Sequence, residues 1–299
     1  MNSVVGGRGT QRIPEWLKTG LPDAYSVGAV SSRVSELGLS TICFEARCPN
    51  KRACFEDGAV TFLVLGRTCT RNCRFCNVAS APPRPPDPTE PARLGKAVIA
   101  LGLDHVIVTS VSRDDLADGG AGHFKACVES VGEIRPKPAI DVLVPDFRGD
   151  ARAVEKVASG PIDVFGHNLE TVERLYPRVR DRACYARSLR VLEYVRVNFP
   201  KVVVKSGLIV GIGETIEEVK TAVRHLAGVG CEIITIGQYL RPSKLHLPVA
   251  EYIEPAVFGN LGDHARRLGL IPVCGPRVRS SFRARQAFEE AKLRRQTCA

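Results

Sequence analysis

The stretch TFLVLGRTCTRNCRFC, residues 61–76, decides how the rest of the chain is read. Its first part, TFLVLG (61–66), is a short apolar run ending at a glycine, the pattern of a strand buried on both faces. Its second part sets Cys69, Cys73 and Cys76 in C-x3-C-x2-C, in the loop leaving that strand. Three thiolates from one tight loop suit three irons of a [4Fe–4S] cube and leave the fourth iron for an exchangeable ligand. Phe75 stands where it can cover one side of such a cluster. A structural zinc site is the competing use of these thiols, but such sites take four ligands, commonly as paired C-x2-C units, and no second pair is present.

A second triad precedes it. Cys43, Cys48 and Cys54 form C-x4-C-x5-C, again one ligand short of four. Cys127, Cys184, Cys231, Cys274 and Cys298 fit no ligand spacing. Of these, Cys127 and Cys231 read as buried apolar residues, and Cys298 as an unliganded thiol on the tail. The 299 residues are 44% hydrophobic and 25% charged, a globular composition. No apolar run approaches the roughly 20 residues of a membrane span. The start, MNSVVGGRGTQRIPEWLK, lacks a signal-peptide stretch, so a cytoplasmic location is expected, where cysteines serve as ligands before they serve as disulfides. The net charge of +10 gathers in PRVRSSFRARQ and EEAKLRRQ. With aromatics at 6% and no nucleic-acid-binding fingerprint, this surface is expected to steer acidic protein partners rather than nucleic acid or a membrane.

Downstream, ASAPPRPPDPTEPARL (79–94) reads as an ordered extended loop entering a helix, with Thr89 and Glu90 as its start signals. HVIVTS (105–110), AIDVLVP (139–145), IDVFGHN (162–168), VVVKSGLIVG (202–211) and EIITIGQYL (232–240) are β-branched apolar runs. Between them lie AGHFKACVESVGEIR, DARAVEKVAS, CYARSLRVLEYVRVNF and TIEEVKTAVRHLAG, of helical composition. The alternation predicts an α/β fold: a partial (open) β/α barrel of six parallel strands, with N- and C-terminal extensions. The expected domains are 1–60, carrying the first triad; 61–254, the barrel; and 255–299, a helical basic tail. Residues 1–40 show little periodic order and 41–60 read as a loop. Polar residues gather at the carboxyl ends of the strands, the edge at which such folds bind ligands.

CTRNCRFC resembles the signature of the radical S-adenosylmethionine superfamily, and GLIVGIGE (207–214) is similar to that superfamily's G-x-I-x-G-x-x-E segment. The first triad, CFEARCPNKRAC, is similar to the auxiliary-cluster motif of lipoyl synthases. PEWLKT, TSVSRDDLADGGAGHF, DVLVPDFRG, ETVERLY, KSGLIVGIGET, TIGQYLRPS and HLPVAEY agree with that family as well, and RSSF (279–282) falls where it has R-S-S-Y. The likeness runs from about residue 11 to 285.

The resemblance implies two [4Fe–4S] clusters with S-adenosylmethionine as co-substrate on the unique iron of the second triad. It implies a 5′-deoxyadenosyl radical that takes hydrogens from C6 and C8 of an octanoyl chain amide-linked to lysine. Sulfur then comes from the auxiliary cluster, whose fourth protein ligand is a serine. That role is carried onto Ser281, with Ser280 as the alternative; without the resemblance the two serines read as a helix N-cap. The implied partners are an octanoylated lipoyl carrier domain (an E2 subunit or the glycine cleavage H protein), a ferredoxin or flavodoxin, and a cluster-repair carrier protein.

Asn168 and Glu170, at a strand end, suit ribose hydroxyls or the methionyl amino group, and Arg187 suits its carboxylate. Lys205, Ser206, Asp114, Asp115 and Gln238 are further candidates, whereas His167 is left aside because hydrogen-atom abstraction needs no base. Three positions depart from the family: Gly166 replaces an asparagine, Phe282 a tyrosine and Arg283 a histidine. The competing readings are a related radical enzyme acting on another unactivated carbon, and a non-enzymatic iron–sulfur or zinc protein that binds nucleic acid through its basic tail.

Overall fold

The computed structural model describes residues 12–18, 24–56 and 58–297, so Cys298 lies outside the described residues. Its strands are β1 (Ser40–Thr41), β2 (Thr61–Val64), β3 (Thr68–Cys69), β4 (Ala79–Ser80), β5 (His105–Ser110), β6 (Ala139–Leu143), β7 (Val164–Gly166), β8 (Val203–Val210), β9 (Ile233–Gln238) and β10 (Ile271–Gly275). One sheet of eight strands runs β1-β2-β5-β6-β7-β8-β9-β10, and β3 pairs with β4 apart from it. Every neighbouring pair from β2 to β10 is parallel, while β1 lies antiparallel on β2 with Ser40 opposite Leu63.

The six strands expected from the sequence are β2 and β5–β9. Two more flank them, β10 parallel and β1 antiparallel, so the described residues hold seven parallel strands and one antiparallel strand where six parallel ones were expected. The additional parallel strand, β10, pairs Ile271 with Ile233 and Gly275 with Gly237. It escaped the pattern because IPVCG is short, contains a proline and is only half buried beyond Ile271.

The helices that cover this sheet match the expected segments closely: α4 (Glu90–Leu101), α5 (Ala121–Gly132), α6 (Ala151–Ala158), α8 (Tyr185–Asn198), α9 (Ile216–Gly228) and α10 (Pro255–Arg267), with the short α7 (Tyr176–Val179) before α8. Local chemistry explains their starts. Thr215 and Glu218 form a reciprocal capping box at α9, and the Asp150 carboxylate accepts from the Arg152 N–H at α6. Thr89 makes no such cap; Glu90 instead accepts from the Leu65 N–H, at 2.9 Å, and meets His123 Nε2 at 2.7 Å. The N-terminal region is more helical than its composition suggested, with α1 (Ala24–Glu36), α2 (Ile42–Glu45) and α3 (Lys51–Glu56).

The sheet curls. Leu63 on β2 and Gly237 on β9, near its two edges, line one cavity. In its interior Lys205 of β8 is ion-paired with Asp141 of β6, both fully buried. The amino ends of β7–β10 are covered by α11 (Ala284–Thr297), which packs Ala287, Phe288 and Ala291 on Val164, Val203, Ile233 and Ile271. Each large apolar side chain buried there contributes about 1.5–3 kcal/mol. The tail is thus part of the fold.

Candidate functional site

Both cysteine triads open on one cavity of about 560 Å³ at the carboxyl ends of the strands. Cys69, Cys73 and Cys76 arrive on the loop after β2. Cys43 comes from α2, Cys48 from the turn after it and Cys54 from α3, while Ser280 and Ser281 come from the segment between β10 and α11. Burial raises the pKa of the Cys43 and Cys73 thiols and pushes Cys76 up to about 12. Sulfurs gathered in so desolvated a place hold negative charge only against a cation, which fits metal ligation.

The loop of the second triad is braced from within. Arg71, between Cys69 and Cys73, is almost wholly buried and forks onto Asp114 at 2.8 and 2.9 Å while also reaching Asp146 at 2.7 Å. Burial works to raise the Asp146 pKa, but the hydrogen bond and charge of Arg71 outweigh it and hold the carboxyl well below the usual carboxylate range. Thr70 pairs with Ser112, the Asn72 N–H donates to Asp181 and the Arg74 N–H to Val179 O. On the far side His246 Nε2 meets Cys76 O at 2.9 Å, and the Leu247 N–H donates to Arg74 O. The two triads are stitched together by Asn77, whose amide donates to Glu45 O at 2.7 Å.

Gly237 admits the serine segment, and Gly207 makes room for the Asn168 side chain that holds it. A Cβ at Gly237 would stand 2.0 Å from Val278 O, and one at Gly207 would stand 2.6 Å from Thr235 Oγ1 and 2.9 Å from Asn168 Oδ1. Asn50 donates to Arg277 O at 2.6 Å, tying the first triad to this segment, and Asn168 Nδ2 donates to Ser280 Oγ at 2.6 Å. Gly237→Ala is therefore expected to expel residues 278–281 from the cavity. The melting curve should show a loss of about 1–3 kcal/mol, the range for forced overpacking, with faster amide exchange confined to that segment.

The cavity wall between the triads carries Asn168, Glu170 and Arg180. Glu170 takes a left-handed backbone (φ 67°) and accepts from Asn168 Nδ2 at 2.9 Å. Burial raises its pKa, opposed by the Arg180 charge and the Asn168 hydrogen bond. Arg180 donates from Nη1 to Asn168 O and to the Tyr176 hydroxyl. Its Nε, like Asn168 Oδ1, is buried without a hydrogen-bond partner among the described residues. A cationic donor and an amide acceptor left unmatched at a cavity wall fit the carboxylate and ammonium of an amino acid, the two ends of a methionyl group.

Sequence reasoning missed Arg180 and Arg71. Their signal was present, since one lies within the cysteine motif and the other shortly after HNLET, but any arginine in a loop reads first as surface charge.

Other expected residues are spent elsewhere, which corrects the expectation for them. Arg187 does not line the cavity; its Nε donates to Asp146 at 2.7 Å and its Nη2 to Arg182 O. Lys205 is held by Asp141 in the sheet interior and is likewise absent from the lining. Ser206 accepts from the Leu169 N–H, Asp114 serves Arg71, and Asp115 pairs with Arg113. Gln238 reaches the cavity, but its amide brackets the backbone, donating to Val210 O, Tyr239 O and Glu251 O and accepting from the Ile253 N–H. His167 is fully buried between Val144 O and Ser188, and burial and the nearby Arg180 push it down to about 4, so it is neutral. Cys127 and Cys231 are buried as expected.

The model of the radical SAM superfamily matches residues 63–226. Among solved structures, methylornithine synthase shares the fold with a TM-score of 0.55, covering 83% of this chain and 77% of its own at 14% identity. Lipoyl synthase of Caldicellulosiruptor saccharolyticus is 48% identical over 274 residues, 91% of this chain and 96% of that protein. Lipoyl synthase of Trichlorobacter lovleyi is 49% identical over 276 residues, 92% of this chain and 98% of that one. At this identity over nine-tenths of its length, with a matching superfamily core and both triads facing one cavity, the chain belongs to the lipoyl synthase family of radical SAM enzymes.

Proposed function

We propose that this protein inserts two sulfur atoms, at C6 and C8, into an octanoyl-lysine of a lipoyl carrier domain. The observation that carries the reading is the convergence of both triads and the serine pair on one cavity. Cys69, Cys73 and Cys76 would hold one [4Fe–4S] cluster, and Cys43, Cys48 and Cys54 with Ser281 a second. When bound, the first supplies one-electron cleavage of S-adenosylmethionine and the second supplies sulfur. Arg180 would take the methionyl carboxylate, and Asn168 and Glu170 its ammonium group. Leu63, Leu143 and Ile209 give the cavity an apolar wall suited to an alkyl chain, and they keep water from the reacting carbons. Ser281 is preferred to Ser280 because the Ser280 hydroxyl is already engaged by Asn168, whereas the Ser281 side chain makes no hydrogen bond among the described residues.

In this reading residues 1–60 form the auxiliary-cluster extension, 61–254 the partial barrel and 255–299 the extension that returns the serine. An octanoylated E2 subunit or H protein, a ferredoxin or flavodoxin and a cluster-repair protein are the partners, and a charge of +10 suits acidic ones. No helix among the described residues is long and apolar enough to cross a membrane, and a cytoplasmic location is part of the proposal.

Anaerobic reconstitution is expected to give about eight irons per chain, the sum of two cubes. The reduced protein, given S-adenosylmethionine and an octanoyl-lysine peptide, should yield a peptide heavier by two sulfurs. Four irons, stoichiometric zinc, or deoxyadenosine without the mass gain would each sink the proposal. Ser281→Ala should lose the dithiolated product and Ser280→Ala should retain it; the reverse pattern would move the ligand to Ser280.

A further inference from the structure

The cavity opens to solvent between two arginines. Of the described residues that line it, Arg47 and Arg241 alone are exposed, so they mark its mouth. We propose that the rim on the Arg241 side, residues 241–246, is the surface on which an acidic face of the carrier domain docks when it presents its acyl-lysine. The proposal rests on the reading of this cavity as the place of sulfur insertion.

The rim is a turn braced by its own hydrogen bonds. Arg241 donates from Nε to His246 O at 2.9 Å and from Nη2 to Lys244 O at 2.5 Å. Ser243 Oγ accepts from the Leu245 N–H at 3.2 Å and meets His246 Nδ1 at 2.9 Å. Both ends are anchored, since the Tyr239 hydroxyl donates to Leu247 O and His246 reaches Cys76 O in the loop of the second triad. The turn holds Leu245 out to solvent, 92% exposed. One exposed leucine is ordinary on a protein surface. This one stands at the tip of an ordered turn beside a cavity mouth, so no ordering cost remains to be met when a partner covers it.

Charge is the second observation. Lys244 and Arg74 are exposed, and Arg74 adjoins the rim because its carbonyl accepts from the Leu247 N–H. The side chains of Arg47, Arg74 and Lys244 have no carboxylate partner among the described residues, unlike Arg174 on Glu218 or Arg294 on Glu290. Glu170 is the only carboxylate in the cavity lining, and Asn168 already holds it. A cationic rim without anions of its own draws in an acidic face and orients it on approach.

The carrier domain is the occupant that the geometry favours. An extended octanoyl-lysine arm spans roughly 15 Å. On so short a tether the alkyl chain enters the cavity only when the carrier's own surface comes up to the mouth. An electron donor threads nothing through that opening and has only to approach the second triad.

The test measures binding of octanoylated H protein to the iron-reconstituted full chain by calorimetry, together with turnover on that protein and on an octanoyl-lysine tripeptide. Lys244→Glu with Leu245→Gln is expected to raise the Kd for the H protein about tenfold or more, while kcat/KM on the tripeptide stays within about twofold. Both side chains are exposed, and matching melting curves check the fold. Lys201→Glu makes the same change in net charge beside the amino end of β8 and should leave both quantities within about twofold. Added salt should weaken binding by the parent more than by the variant. An unchanged Kd, an equal loss from Lys201→Glu or an equal loss on the tripeptide would overturn the docking surface. A variant that binds H protein normally but loses deoxyadenosine with flavodoxin, and not with dithionite, would assign the surface to the electron donor and overturn it too. Dithiolated tripeptide with an unchanged Kd would remove the docking surface and leave the function standing; a raised Kd with neither substrate dithiolated would do the opposite.

Discussion

Cys48→Ala is expected to leave S-adenosylmethionine cleavage running while sulfur insertion falls by at least about 100-fold, more than the loss from removing a mere supporting partner of a metal ligand. Iron should drop from about eight to about four per chain, because a cube that has lost one of its few protein ligands is not retained. Cys69→Ala should do something different and abolish both deoxyadenosine and product. The contrast follows from the architecture. The two triads sit on separate elements, α2–α3 and the loop after β2, and meet at the shared cavity and at Glu45, which accepts from Asn77 and pairs with Arg67. Cys48 is the suitable position, since Cys43 is buried among core residues and its removal would also disturb packing. The measurement is iron content with deoxyadenosine and dithiolated peptide counted in the same reaction. A Cys48→Ala protein that kept eight irons, or lost cleavage along with insertion, would contradict the division of roles.

Arg71→Met is expected to cost about 3 kcal/mol of stability, because it strips a buried guanidinium from two carboxylates at once. Asp146 would keep Arg187 and the Arg148 N–H, and Asp114 would lose its fork altogether. For a chain of this size the melting midpoint should fall by roughly 5 °C. The pH dependence has a definite sign. The folded-state pKa of Asp146 is depressed, so its contribution is fully present above the ordinary carboxylate pKa and is lost as pH falls below about 4. Much of that contribution disappears with Arg71, so the stability gap between parent and variant should narrow as the solution is acidified. A gap that widened in acid would mean that Arg71 acts through something other than Asp146 and Asp114. The arginine also lies between two cysteines, so iron at the second triad should bind more weakly in the variant even where the chain is folded.

The fold was legible wherever burial on both faces wrote itself into β-branched runs. Residues 105–110, 139–143 and 233–238 needed nothing but their apolarity to be placed as strands, and the helices between them began and ended within a few residues of their sequence patterns. The edges of the sheet were not legible. A two-residue strand such as Ser40–Thr41 has no period, and Ile271–Gly275 contains a proline and faces the half-solvated tail. In the site, the cysteines could be named because ligand chemistry restricts residue type, whereas the serines were named through the family resemblance alone. Arg187 and Lys205 were chosen on charge, and nothing local shows that Asp146, in the loop after β6, and Asp141, on β6, already hold them. Arg180 had the same charge, and only the fold distinguishes it, by leaving its Nε unmatched at the cavity wall.

The Asn50–Arg277 contact joins residues 227 positions apart, and the serine pair enters the cavity only beside it. On a ribosome adding roughly 5–20 residues per second, that separation is a delay of some tens of seconds or less. During it the second triad, its bracing aspartates and most of the sheet have already been synthesised. A growing or prematurely ended chain could therefore assemble the half that makes a radical before it owns the half that gives the radical something to do. The fold limits this hazard by making the late segment structural: without α11 on the amino ends of β7–β10, the sheet around the early half stays uncovered. The last-made segment thus completes the sheet's cover and brings the serine pair to the cavity together.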